Sequence, residues 1–176
     1  VTVDTMVAAG ATVTNNGSFT VTGTNVSDEL VDALGAYLPK NEDGSNTKLA
    51  DAVNAALTVA GVEMGLVGVH GATIENNGTM NVTGVSGLVG STLNNNASLT
   101  LNDQLISLGS DITNTGKVDA QWILAAGGSI VNGQAETDAE TSRTLNADIV
   151  ALWDTKFENK SNANATIDAM LTVNSN

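Results

Sequence analysis

The sequence contains no cysteine, which removes disulfides, thiolate catalysis and Cys-ligated zinc. It has one histidine, His70, so a usual zinc site has no second imidazole to draw on. Aromatic residues make up 3% of the chain, too few for a base-stacking platform. Basic residues are scarce: six Lys and Arg face 19 Asp and Glu, giving a formal net charge of −13. Such a chain repels phosphate backbones and anionic headgroups, so nucleic acid is not expected as a partner. Long apolar runs are missing as well. The most apolar stretch, Leu57 to Val69, holds Glu63 and is broken by Gly61, Gly65 and Gly68. It falls short of the ~20 residues a spanning helix needs, and membrane insertion is not expected. What remains is 176 residues at 41% hydrophobic, enough for one folded domain and unlike an acidic disordered tail. The chain begins at Val1 rather than Met, as removal of a leader or cutting of a longer chain would leave it.

What is present is a repeat. Gly10-Ala-Thr-Val-Thr-Asn-Asn-Gly-Ser-Phe-Thr-Val returns as Gly71-Ala-Thr-Ile-Glu-Asn-Asn-Gly-Thr-Met-Asn-Val, then from Gly90 and from Gly109. The last three starts are 19 residues apart, and a shorter copy begins 18 further on at Gly127. The columns agree chemically. One holds Val13, Ile74, Leu93, Ile112 and Ile130, and another Asn15, Asn76, Asn95, Asn114 and Asn132. Two more hold Phe19, Met80, Leu99 and Val118, then Val21, Val82, Leu101 and Ala120. A faint sixth copy lies near Asn164, Ala165, Ile167 and Ala169.

Each copy reads as a short strand, an Asn-rich corner and a second alternating strand. One copy buries too few apolar side chains to stand alone, whereas stacked copies share a core. The expected fold is mainly β: a parallel β-solenoid (β-helix) of about five 19-residue coils, forming a single domain over 1–176. Its repeat core is Val13, Phe19, Val21, Ile74, Met80, Val82, Leu93, Leu99, Leu101, Ile112, Val118 and Ile130. Stacked Asn15, Asn76, Asn95, Asn114 and Asn132 would form a ladder of side-chain amides. The alternative is a hairpin-built β-sandwich, since Asn16-Gly17 and Asn77-Gly78 are also hairpin-turn signals. Equal spacing favours the solenoid, because hairpins do not require it.

The copies resemble coils of the right-handed parallel β-helices in bacterial autotransporter passengers and related surface adhesins. The form Asn76-Asn77-Gly78-Thr79-Met80-Asn81-Val82 carries the resemblance, which covers 10–23 and 71–139. It implies β-helical architecture and an extracellular or cell-surface habit, and no binding specificity.

Two segments break the period. Residues 26–69 read as an inserted helical hairpin. Ser27 caps a first helix with Leu30, Val31, Leu34 and Leu38 on one face, ended by Pro39. Thr47 to Ala60 forms the second, with Leu49, Val53, Ala56, Leu57 and Ala60 together. Residues 140–158 read as a C-terminal helical cap, in which Leu145, Ile149, Leu152 and Trp153 share a face. The last segment alternates, with Ile167, Ala169, Leu171 and Val173 on one side, and is a candidate subunit-contact strand.

Chemical candidates are thin. His70 lies at a coil corner, and neither a Gly-x-Ser-x-Gly elbow nor a phosphate loop occurs. Asn41-Glu42-Asp43-Gly44-Ser45-Asn46 is oxygen-rich but lacks EF-hand spacing and reads as a solvated turn. Among the coil acids, Glu75 stacks on Asn94 and Asp111 on Thr92 and Ser129. Asp119 stacks on Thr100 and Thr137, or next to Asp138 after a one-residue slip. No catalytic, metal or cofactor site is therefore expected. The function expected is a non-enzymatic extracellular structural or adhesive protein, self-associating into a fibre or matrix or forming part of a surface adhesin. Its partners would be further copies of itself, or a host or matrix glycan or protein. The alternative is a glycan-binding or glycan-cleaving β-helix module.

Overall fold

The computed structural model describes residues 1–25, 32, 36, 40–47, 51, 62–134 and 143–176. Every named element among them is a strand, and the strands join in one sheet. In chain order they are β1 (Thr2–Val3), β2 (Met6–Ala9), β3 (Thr12–Asn15), β4 (Ser18–Val21), β5 (Thr24–Asn25), β6 (Glu63–Val69), β7 (Thr73–Asn76) and β8 (Thr79–Val82). There follow β9 (Val85–Val89), β10 (Thr92–Asn95), β11 (Ser98–Asn114), β12 (Lys117–Asn132), β13 (Arg143–Trp153), β14 (Lys156–Asn159) and β15 (Ala163–Val173).

Pairing is parallel throughout, except for the short β5–β6 contact and a Lys40–Asn46 bridge. Parallel neighbours exclude the hairpin-built alternative, because a hairpin joins antiparallel strands. Three ladders result. The first runs through β1, β4, β8, the starts of β11, β12 and β13, and β15. The second takes β2, β6 and β9 and then the later halves of the long strands. The third takes β3, β7, β10, the ends of β11 and β12, and β14. The chain visits the ladders in the same order each time. Together they wrap one apolar interior, so the sheet nearly closes on itself like a barrel.

The register follows the sequence columns. Val13 faces Ile74, which faces Leu93, then Ile112, Ile130 and Phe157. Val3, Val21, Val82, Leu101, Ala120, Ala147 and Ile167 make an unbroken line in the first ladder. The sevenfold line exceeds the expected five levels, because β1 and the region from β13 to β15 add levels the spacing did not reveal. The second ladder supplies Leu66, Leu88, Leu105, Ile123, Ala125, Val150 and Leu152 to the same core.

Two expectations are corrected. The helical cap over 140–158 is β13 followed by β14. Arg143, Leu145, Ala147, Val150 and Leu152 are the buried positions of β13, an alternation with one extra residue at Asp148 and Ile149 where the strand turns a corner. That extra step imitates a helical spacing, and pairing to β12 on one side and β15 on the other decides for strand. The helical insertion over 26–69 ends in strand β6, paired on both sides by β2 and β9. Most of its two expected helices lies outside the described residues.

Candidate functional site

The sequence-derived residues occupy three places: the interior, one corner, and the C-terminal edge. Of the repeat core, Val21, Ile74, Met80, Val82, Leu93, Leu99, Leu101, Ile112, Val118 and Ile130 are buried. Val13 is half-buried, and half-buried Phe19 packs against the core from the N-terminal end.

The corner holds the amides. Asn15 Nδ2 donates to Asn76 Oδ1 at 2.8 Å, Asn76 to Asn95 at 2.8 Å, and Asn95 to Asn114 at 2.7 Å. Asn114 continues to Asn132 at 2.8 Å, and Asn132 to Asn159 at 2.7 Å. Each donating amide also reaches a backbone carbonyl one level on: Thr79, Ser98, Lys117, Thr144 and Asn164 in turn. Asn159 breaks the pattern and bonds Ala163 within its own level. It was missed in the sequence because its strand was assigned to the end of a helix. Its alignment with Asn132, 27 residues back, becomes visible only when the insertion after Gln134 is allowed for.

The candidate contact strand does not keep its four residues on one side. Ile167 packs on the core, while Ala169 and Leu171 are exposed. The corner between the first and second ladders shifts the alternation between Ile167 and Ala169.

Beside that corner, on the outer surface of the first ladder, lies a cleft of about 280 Å³ lined by Asp119, Asn146, Asp148, Thr166 and Asp168. Asp119 faces Asn146, not Thr137 or Asp138 as the spacing suggested, because β13 takes the next level. Its carboxylate accepts from Asn146 Nδ2 at 2.7 Å and pairs with Lys117 at 2.7 Å. Burial works to raise the Asp119 pKa, but the hydrogen bonds from Lys117 and Asn146 outweigh it and hold the carboxyl below its ordinary value. Ala147 faces Ile167 and Ile149 faces Ala169, so Asp148 and Asp168 lie opposite one another on strands about 4.8 Å apart. This acid pair was hidden by the helical reading of 140–158.

Other candidates have bland surroundings. His70 sits at a corner with φ of 55° beside Gly71. The Asn41–Asn46 segment is a closed turn in which Asp43 accepts from the Ser45 amide and hydroxyl, which lower its pKa. Among the described residues no group of three His, Cys, Asp or Glu could hold a metal ion, and no helix is long and apolar enough to cross a membrane.

No protein-family model, curated protein or solved structure matches this chain.

Proposed function

We propose that this chain is a parallel β-solenoid serving as a non-enzymatic extracellular scaffold, structural or adhesive, that assembles with further copies or forms part of a surface adhesin. The observation that carries the reading is the unbroken register from Val3 to Ile167, with a six-amide line running alongside it. Inward positions are spent on the core and corner amides on the line. The outer sides of the first and third ladders carry polar residues: Thr20, Asn81, Thr100, Asp119 and Asn146 on one, Thr14, Glu75, Asn94 and Thr113 on the other. Such surfaces suit a solvated rod that presents edges and side chains without a catalytic arrangement. The extracellular setting rests on the resemblance to adhesin coils. Negative-stain microscopy and light scattering of the purified chain test the reading. Rods of fixed width and variable length support it, and globular particles of one size at all concentrations count against the fibre form.

A second reading is favoured by one observation, the cleft with Asp148 opposite Asp168. Carboxylates on neighbouring strands suit glycan binding, and a pair separated by about 5 Å suits retaining glycoside cleavage. Glycan-array binding or turnover abolished by Asp148→Asn and Asp168→Asn would move the function to that cleft.

A further inference from the structure

Four of the six large apolar side chains exposed among the described residues lie at the two ends of the ladders. Val1 and Val7 are at the N-terminal edge, Met170 and Leu171 at the C-terminal edge. The outer edges of β1, β2 and β15 have no strand neighbour among the described residues. Among the described residues each edge has backbone donors and acceptors with no strand to pair with, a template for another strand.

We propose that a second copy of this chain stacks head to tail on these edges, with β15 of one copy pairing in parallel with β1 and β2 of the next. The inference rests on the scaffold reading and gives it a register. Three columns run unbroken from end to end. Val3 leads to Ile167 in the first ladder. Val7 leads to Leu171, and Ala9 to Val173, in the second. In all three columns the end residues are 164 positions apart, so one rigid placement satisfies both ladders together. The segment that turns the corner has the same length at both ends. In that register exposed Leu171 covers exposed Val7, and exposed Met170 covers half-buried Met6. The contact is heterologous and does not close, which makes a filament. The third ladder contributes little, since residue 176 lies against the start of β14, with Phe157 N–H bonding the Asn176 carbonyl.

The same register sets Asp168 against Asp4 of the next copy. Asp148 faces Asp168 from β13, and nearby Asp119 on β12 is engaged by Lys117. Like charges in one column oppose stacking at neutral pH.

The test exploits the absence of cysteine. Val7→Cys and Leu171→Cys chains are mixed and oxidised, because adjacent parallel strands fall within disulfide reach. An intramolecular pair, Thr113→Cys with Val131→Cys, reports on the register within one chain. Disulfide dimers from the mixture, and none from either single variant alone, support the stacking. A closed Thr113–Val131 control with no mixed dimer overturns the stacking and leaves the scaffold reading standing. A control that fails to close, in a chain that folds, overturns both. Linkage within a single-variant sample overturns the head-to-tail polarity. Asp168→Asn should lower the concentration for half-assembly about fivefold, the factor for one like-charge contact in water. An unchanged threshold overturns the register.

Discussion

Asn95 shows how much one side chain can hold. It is fully buried, accepts from Asn76, and donates to Asn114 and to the Lys117 carbonyl. Replacing it with Ala strands one N–H of the Asn76 amide and takes one of two donors from Asn114 Oδ1, which keeps the Gly116 amide. At 1–3 kcal/mol for each orphaned group, Asn95→Ala should cost about 3 kcal/mol in denaturant unfolding. Ser107 is the opposite case. Its hydroxyl is buried with no partner, as is that of Ser86. Ser107→Ala removes a desolvated group from an apolar wall and should raise stability by about 1 kcal/mol, read as a higher Tm. Gly128 marks a corner where backbones touch. Its φ is 75°, and a Cβ there would lie 2.1 Å from the Ser110 carbonyl oxygen. Gly128→Ala should cost at least ~2 kcal/mol, more than the same change at Gly17, which has open space. Gly128 pairs with Ser110 and stands outside the glycine column, so only the Asn column was legible in the sequence, because it repeats with its neighbours. The orphan hydroxyls were not, because nothing in the spacing says which serines face inward in the second ladder.

Among the elements, β13 was the least legible and is the most instructive. Its residues satisfy a helical pattern, since a bent strand places inward side chains three apart at the bend. Two pairing neighbours override that local signal: β12 and β15 offer a full parallel ladder on each side. Leu145 is 1% exposed at the centre of this arrangement. Leu145→Ala should cost about 3 kcal/mol, as for a buried leucine whose site cannot collapse, and a surface cap helix would lose far less. The second ladder was missed for a related reason. Strands with apolar residues on both faces lose their alternation and read as continuous apolar runs. In β6, Val67 and Val69 are both 2% exposed yet lie outside the main core cluster, so apolar residues face both ways.

For the whole molecule, charge is the dominant feature at −13. The Glu158 carboxylate accepts from Lys160 and Lys156, which hold its pKa below the ordinary value. A carboxyl depressed in the folded state adds stability that is present above its unfolded pKa and lost as pH falls through the folded one. Asp119, also lowered, acts in the same direction. Tm should therefore fall on acidification below about pH 4, where ordinary carboxyls protonate. The slope should flatten in Lys156→Gln with Lys160→Gln. A flat wild-type profile through that range would contradict the ion-pair geometry.

By itself the sequence determined the strand-and-corner unit, the first and third ladders and the amide line, because those features repeat at nearly fixed intervals. Only the tertiary structure decided that 143–159 joins the ladders, that Asn159 ends the amide line, and that Asp148 meets Asp168. The first two depend on register across the residues inserted after Gln134, and the third on 143–153 being a strand and not a helix. Pairing energy between strands far apart in the chain, which no local pattern carries, is what chooses that register.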